Sequence, residues 1–382
     1  MVELQIQGFL MIRFLTLETF SRTGGVQMVC RSMAKALAEV SSSQDTFEMV
    51  SLCDKPADFS QRYLPEGLCR GFSYRRLAFV RYMLRKVWST QIIILAHVNL
   101  ISLAWMMKLL APGIRIILLA HGKEVWPRLP HWKRSFMSRE MEIWSVSRYT
   151  RMKLLEQHGI PPSRIKVLHN CLDPFFEVPN SFTKPSNLLE RYNLNGTQKI
   201  LLSICRMAHY ERNKGYDLVL EVLPEIILQF PNLVYLLAGG TSTKEHARLT
   251  RKISDLDLES HVILTGFIKD EELPDHHLLA DVFILPSSKE GFGLVFIEAA
   301  VCGTEIIAGN KDGSRDAVLD GRLGKLVNPT SRKEILSAIM QSLKAEYNES
   351  LAKERQSLAL SVFSFEHYRS NINQLLKQKP TL

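Results

Sequence analysis

Residues 286–303, PSSKEGFGLVFIEAAVCG, bring together residue types suited to holding a phosphorylated ligand. Gly291 and Gly293 allow close backbone approach, and a helix starting just after them offers free N–H groups to an anion. Leu294, Val295, Phe296, Ile297, Ala299, Ala300 and Val301 make that helix apolar nearly all round, so it should be buried. Glu298 lies within it. A buried carboxylate is costly unless paired or hydrogen-bonded, and a ribose diol would give two donors to its two oxygens; a structural ion pair is the alternative. Glu290, eight positions earlier, falls in the loop at the helix mouth.

A second cluster is Arg206 with Lys214 and Gly215 in ICRMAHYERNKGYD, between an apolar run and the next amphipathic one. Two cations there suit a diphosphate, with Arg chelating and Lys acting as a point charge. His121 and Gly122, with Glu124, follow the apolar run 114–120, where a side chain at a strand end points toward a ligand. Gly24 and Gly25 sit between the first strand and the first helix, but no G-x-G-x-x-G accompanies them, which disfavours NAD. Asp255 and Asp257 form a D-x-D, yet they fall at a helix end before a strand. His276 and His277, with Asp281, read as helix surface, because adjacent side chains on a helix diverge. No metal and no cofactor is therefore expected.

These groups need strands and helices to carry them. Short aliphatic runs alternate with longer amphipathic ones: 11–17 then 26–39, 91–96 then 99–110, and 114–120. The alternation predicts βαβ units on a parallel sheet, whose strands are covered on both faces and so lack a polar side. Residues 177–187, EVPNSFTKPSN, are polar, aperiodic and carry two prolines, so they are expected to link two domains. The alternation then restarts, with strands expected at 199–204, 233–238, 262–265 and 282–285 and helices at 216–230, through 249–256 and at 294–301. The expected organisation is an amino-terminal domain 1–180, a ligand-binding domain 181–360 and a C-terminal helix within 361–382 that crosses back to the first domain. Two such domains facing each other would bury a ligand in the cleft between them.

Composition narrows the partners. The 382 residues, 46% hydrophobic and 23% charged, can build more than one packed core. The net charge of +9 is uneven: residues 1–180 hold 24 basic and 14 acidic side chains. Arg70, Arg75, Arg76, Arg81, Arg85 and Lys86 interleave with Phe72, Tyr74, Leu77, Phe79, Val80, Met83, Leu84 and Trp88. That pattern suits an anionic membrane surface, with a solvated helix face as the plain alternative. No reader motif accompanies the charge, so nucleic acid is not an expected partner. The six cysteines lack a C-x-x-C pair and read as reduced, buried thiols. Residues 92–107 contain His97, Asn99 and Ser102 and make a poor membrane span. Residues 1–10 carry Glu3 and no Lys or Arg. A secretory leader is thereby disfavoured, and a cytoplasmic location is expected, peripheral at the inner face of the cytoplasmic membrane.

Together the motifs resemble the retaining family-4 glycosyltransferases of GT-B fold, over most of the chain. The matching pieces are TGGV from Thr23, HGKEVW from His121, HNCLDP from His169, CRMAHYERNKG from Cys205, LTGFIKDEELP from Leu264, Glu290 to Glu298 as E-x7-E, and AGNKDGSRDAVLDG from Ala308. HG-x-E-x-W is similar to that of transferases acting on lipid-linked acceptors, including phosphatidylinositol mannosyltransferases. The resemblance implies a two-domain α/β fold and transfer of a hexose, with retention and without metal, from a GDP- or UDP-sugar to a carbohydrate or lipid-linked acceptor. Such a reaction belongs to cell-surface polysaccharide or glycolipid synthesis. By position it implies donor-sugar binding at Glu290, ribose at Glu298 and diphosphate at Arg206 and Lys214. It further implies phosphate or sugar at the amides of Phe292, Gly293 and Leu294, the base near Ile268, a donor contact at Gly25 and His121 facing the sugar. Cys205 and Cys171 stand where Gly is usual, and Glu305 where Pro is usual. A nucleotide-sugar epimerase of the same fold and a noncatalytic nucleotide-sugar-binding protein are the competing expectations.

Overall fold

The structure, a computed structural model, describes residues 10–41 and 47–378; the reading of residues 1–9 as lacking a leader lies outside the described residues. Two compact units are formed, Met1–Asp173 together with Phe365–Leu382, and Pro174–Ser364.

Unit 1 opens with β1 (Ile12–Thr16), α1 (Gly25–Val40), β2 (Phe47–Ser51), β3 (Cys69–Gly71) and α2 (Arg76–Arg85). It continues with β4 (Ile92–Leu95), α3 (Ile101–Leu110), β5 (Arg115–Ala120), α4 (His131–Glu140), β6 (Met141–Ser145), α5 (Arg148–His158) and β7 (Ile165–Val167). In unit 2 come α6 (Ser186–Arg191), β8 (Ile200–Ile204), α7 (Tyr216–Ile227), β9 (Val234–Ala238), α8 (Thr243–Asp255), β10 (Val262–Gly266) and α9 (Leu273–Leu279). After them run β11 (Val282–Leu285), α10 (Leu294–Val301), β12 (Glu305–Gly309), α11 (Ser314–Ala317), β13 (Lys325–Val327), α12 (Arg332–Lys344) and α13 (Glu349–Phe363). The chain then returns to unit 1 as α14 (Phe365–Lys377).

The sheet of unit 1 has the order β3-β2-β1-β4-β5-β6-β7 and that of unit 2 the order β10-β9-β8-β11-β12-β13, with parallel pairing throughout. Both orders turn back at one point, between β1 and β4 and between β8 and β11. In open parallel sheets the crevice at that point, outside the carboxyl ends of the strands, is where ligands bind. The central strands carry helices on both faces, which is why Ile92–Leu95 is Ile-Ile-Ile-Leu and wholly buried. Among the described residues no helix is long and apolar enough to cross a membrane; the apolar stretch 92–107 is β4 followed by α3.

α14 closes one face of unit 1. Phe365, Tyr368, Ile372 and Leu376 join the core cluster of α1 and β1. Arg115 donates to the carbonyls of Leu376 at 2.7 Å and Leu375 at 2.9 Å, satisfying acceptors that a helix end leaves open. The segment 177–187 differs from a free linker. Gln356 Nε2 donates to Pro179 O at 2.8 Å and Lys184 pairs with Asp281 at 2.7 Å, so the segment is fastened along unit 2. Its irregular backbone meets side-chain donors in place of a strand partner.

Candidate functional site

Of the groups singled out in the second half of the sequence, Arg206, Lys214 and Glu290 lie on the loops that follow the two switch-point strands of unit 2. Strand β8 leads to Arg206 and a 3-10 segment, His209–Lys214; β11 leads to the loop that carries Glu290. The two loops are joined, since Ser288 N–H donates to Asn213 O at 2.9 Å. Gly215, at φ +86°, lies so close to Pro286 that a Cβ would sit 2.3 Å from its carbonyl oxygen. Only glycine permits both that backbone conformation and that approach.

Lys214 Nζ makes a direct ion pair with Glu290 Oε1, with both side chains largely buried. Burial pushes the lysine pKa down, but the adjoining Glu290 carboxylate outweighs it and the net direction is up, so Lys214 keeps its charge. Arg206 does not share this pair. It faces water, 64% exposed, and its Nε and Nη2 donate to Glu211 at 2.7 and 2.8 Å.

Asp312, which the sequence reading missed, holds the Glu290 loop. It accepts from Glu290 N–H at 2.6 Å, Ser287 Oγ at 3.0 Å and Ser314 N–H at 2.9 Å. Burial raises its pKa to about 6, against the opposing pull of those amides. A Cβ on Gly313 would stand 2.1 Å from Gly291 O, so the Asp-Gly dipeptide is a tight seat for this loop. The only sequence signal for Asp312 is that Asp-Gly just beyond a strand, which reads as an ordinary turn.

α10 begins at Gly293, φ +95°, without a side-chain cap, leaving its first amides to an anion. Phe292 is buried edge-on against Phe363 at 5.7 Å, so its contribution to a ligand site is its backbone. Leu294 opens the helix. Ile268, just beyond β10, is buried, with the neighbouring Phe267 exposed. Glu298 lies on α10 with 12% of its side chain exposed, and its Oε2 is buried without a hydrogen-bond partner among the described residues. His277 Nε2 is 3.9 Å away, outside hydrogen-bond range.

That neighbour corrects the reading of His276 and His277 as helix surface. Both are fully buried, because α9 is packed on two sides. His276 bonds Tyr192 Oη at 2.9 Å and Glu272 O at 2.6 Å, while His277 lies against Phe283 and toward Glu298. The side chains do diverge, into two buried environments. Asp255 and Asp257 are exposed at the end of α8. Glu305 meets Lys325 Nζ at 2.7 Å and also pairs with Arg355, which accommodates a carboxylate at the start of β12.

In unit 1, His121 directly follows β5. Its Nε2 is 3.1 Å from Ala96 O, an acceptor, so Nε2 carries the proton and Nδ1 keeps its lone pair, buried and without a hydrogen-bond partner among the described residues. Burial lowers its pKa to about 4, making the ring neutral near pH 7. Glu124 Oε1 accepts from the His121 N–H at 2.6 Å and fixes the turn. Gly25 is the exposed first residue of α1. The loop before it is ordered by Asp54, also missed from sequence, which accepts from Thr19 and Ser21 N–H at 2.9 and 3.0 Å. In residues 70–86, Arg75, Arg76, Arg81, Arg85 and Lys86 are exposed. Arg70 is exposed as well, and it also stacks on Tyr82 and reaches Glu48 at 3.5 Å. The six cysteines are free thiols, five of them buried.

Residues 186–359 match the family described as Glycosyl transferases group 1, and residues 23–175 match Glycosyltransferase Family 4. The chain is 31% identical over 259 residues to the GDP-mannose-dependent alpha-(1-6)-phosphatidylinositol monomannoside mannosyltransferase of Mycolicibacterium smegmatis, covering 65% of this chain and 64% of that one. It is 28% identical over 199 residues to mannosylfructose-phosphate synthase of Agrobacterium fabrum, covering 50% and 43% respectively. The chain thus spans less than two thirds of the length of these curated relatives. Anabaena HepE in complex with UDP superposes with a TM-score of 0.80 at 18% identity, over 96% of this chain and 99% of that one. Sucrose-phosphate synthase of Thermosynechococcus elongatus gives 0.76 at 18% identity, over 97% and 98%. At such identities the likeness carries the fold alone.

Proposed function

We propose, for a chain that belongs to the family-4 type glycosyltransferases of GT-B fold, that it transfers a hexose from a nucleotide diphosphate sugar to a carbohydrate or lipid-linked acceptor, retaining the anomeric configuration and using no metal. The observation that carries the reading is the buried Lys214–Glu290 pair, which joins the loops that follow β8 and β11 at the switch point of unit 2, with the uncapped start of α10 just after Glu290. As the anomeric bond breaks, the departing diphosphate gains negative charge. Arg206, Lys214 and the amides of Phe292, Gly293 and Leu294 supply fixed positive potential there. Glu298 accepts from the ribose, Glu290 from sugar hydroxyls, and backbone near Ile268 meets the base. His121 offers a neutral imidazole with an acceptor nitrogen, the form suited to a hydroxyl group; its assignment to the sugar, like that of Gly25 to the donor, rests on the family resemblance.

GDP-mannose and UDP-glucose are the first donors to test, because one mannosyltransferase relative is named for the former and HepE is described with UDP and with UDP-glucose. The basic face of α2 favours an acceptor met at an anionic membrane surface, as in glycolipid or cell-surface polysaccharide synthesis. The purified protein, a donor and a membrane lipid extract should yield a glycosylated product whose anomeric coupling in NMR matches the donor's. Inversion would exclude the retaining reaction. Conversion of donor alone to an isomeric nucleotide sugar would replace transfer by epimerisation, and nucleotide binding with no turnover on any acceptor would leave a binding protein.

A further inference from the structure

Two adjacent histidines on α9 are equally buried and differ in what their rings meet. His276 uses both nitrogens. Its Nδ1 lies 2.6 Å from the carbonyl oxygen of Glu272 and so donates, while Nε2, 2.9 Å from Tyr192 Oη, accepts the phenol proton. A histidine of a core is satisfied in this way. His277 is as fully enclosed, yet neither of its nitrogens has a hydrogen-bond partner among the described residues. Burying both nitrogens unmet is costly, and packing does not require it. A phenyl ring would fill the same place against Phe283, whose ring centroid is 5.2 Å away, with no polar atom to desolvate.

The polar atom that faces this ring is itself unmet. Glu298 Oε2, buried without a hydrogen-bond partner among the described residues, lies 3.9 Å from His277 Nε2. A hydrogen bond spans about 2.7–3.2 Å, so donor and acceptor stand about 1 Å short of meeting. The histidine is the fixed member, because its carbonyl accepts from Thr304 Oγ1 at 2.7 Å and is tied to the turn that follows α10. Glu298 reaches across on a longer and more flexible side chain, so the carboxylate is the member able to close the gap. Functional hydrogen bonds are often long in a ligand-free site and tighten in the complex.

We infer that His277 is a positioning residue for the nucleotide ribose: with the diol bound, its Nε2–H donates to Glu298 Oε2 and holds the carboxylate in the plane that meets both hydroxyls. The inference rests on the reading of Glu298 as the ribose ligand. An ionised carboxylate offers about four lone-pair sites, so two hydroxyls and one imidazole N–H can share it. With one rotation of the carboxylate fixed from behind, less freedom is lost when the diol arrives.

The test uses the full chain and calorimetry with GDP and UDP, each compared with its 2′,3′-dideoxy analogue, which lacks the diol. H277F keeps an aromatic ring and removes both nitrogens. H277Q places an amide N–H where Nε2 stands, and H277N places one where Nδ1 stands, away from the nitrogen nearest Glu298. Wild type should prefer the ribose form by about tenfold or more, and H277F should lose roughly 3- to 10-fold of affinity for that form. Its affinity for the dideoxy form should change by less than about twofold, because the effect passes through a carboxylate that then has no diol to hold. H277Q should restore the preference and H277N should not. In an E298M background H277F should weaken ribose-form binding no further, which a role in packing alone would not produce. Equal losses on the ribose and dideoxy forms would make His277 a packing residue and overturn the inference. So would a preference kept in full by H277F; if phenylalanine overfills the site and the variant does not fold, equal preference in H277N and H277Q overturns it on the same ground. A wild type indifferent to the diol would remove the ribose reading of Glu298, and the inference with it, whereas the other failures leave that reading standing.

Discussion

Replacing Glu298 with Met should move stability and donor affinity in opposite directions. Oε2 is buried with no donor in reach among the described residues, and His277 Nε2 at 3.9 Å is too far to satisfy it. A buried polar atom left unmet costs about 1–3 kcal/mol. Met has nearly the same length and shape and lacks that atom, so Glu298→Met without nucleotide should be as stable as wild type or up to about 2 kcal/mol more stable. With nucleotide sugar the order reverses. A hydrogen bond to a charged acceptor contributes about 1.5–3 kcal/mol, so affinity should fall roughly 10- to 100-fold. Thermal unfolding reads both effects. At 100 times its dissociation constant a ligand adds about 2.7 kcal/mol to wild type; at the same concentration the variant, then near 1 to 10 times its own constant, should gain only about 0.4–1.4 kcal/mol. A variant destabilised without nucleotide, yet of unchanged nucleotide affinity, would refute the reasoning and make Glu298 the partner of His277 in a structural ion pair.

Arg206→Ala and Lys214→Ala should each lower kcat by about 10²- to 10³-fold with a smaller change in donor affinity, since they act on charge that develops at the leaving group; an affinity loss with kcat intact would contradict this. EDTA should leave the rate unchanged, and inhibition reversed by a divalent ion would return Asp255 and Asp257 to consideration. Asp312→Ala should destabilise unit 2 by about 3 kcal/mol or more in urea, because three donors lose their acceptor; a change under about 1 kcal/mol would rule out the role given to it. His121 titrates near pH 4 in the fold and near 6.5 when unfolded, so the stability tied to its neutral form is complete above about pH 6.5 and drains away toward pH 4, by up to about 3 kcal/mol. His121→Gln should flatten that acid limb, and an unaltered urea midpoint difference between pH 4.5 and 7 would exclude it. Reversing Arg75, Arg76, Arg81 and Arg85 to Glu should reduce sedimentation with anionic liposomes at low salt, and equal partition of both proteins would make α2 an ordinary solvated face.

How much of this could be read from the chain follows from where each signal resides. α10 was found at its observed bounds because its apolar run is continuous and two glycines punctuate its start. β4 and β5 were found because strands covered on both faces are uninterrupted aliphatic runs. β3, β7 and β13 were not, being edge strands of three residues, too short to show a period. β6 follows α4 with no intervening turn, so nothing in the sequence separates Met141 from Glu140. Within the site, Glu298 was visible because a carboxylate in an apolar helix is a contradiction that invites a ligand. The Lys214–Glu290 pair was not, since 76 positions separate its members and only the adjacency of β8 and β11 joins them. The burial of His276 and His277 likewise depended on which elements pack against α9, a tertiary fact their own helix does not carry.

The two cations of the site are held on different terms, and the difference bears on how they would serve a diphosphate. Arg206 is mostly in water, while its partner Glu211 is buried and holds the guanidinium through both carboxylate oxygens. Lys214 is largely buried, and a buried ammonium without a partner would be strongly destabilising. Glu290 answers that need through Oε1, while Asp312 fixes its backbone. A carboxylate has two oxygens, so in the proposed reaction Oε2 can accept from a sugar hydroxyl without Lys214 losing its neighbour. The first Glu of the E-x7-E element would then serve two ends at once, keeping a buried lysine charged beside the phosphates and orienting the sugar. The second Glu has a buried Oε2 with no hydrogen-bond partner among the described residues, one that the ribose would supply in the proposed reaction. On this account the two carboxylates differ in kind: loss of Glu290 strands Lys214 and costs stability together with catalysis, whereas loss of Glu298 costs binding and spares the fold.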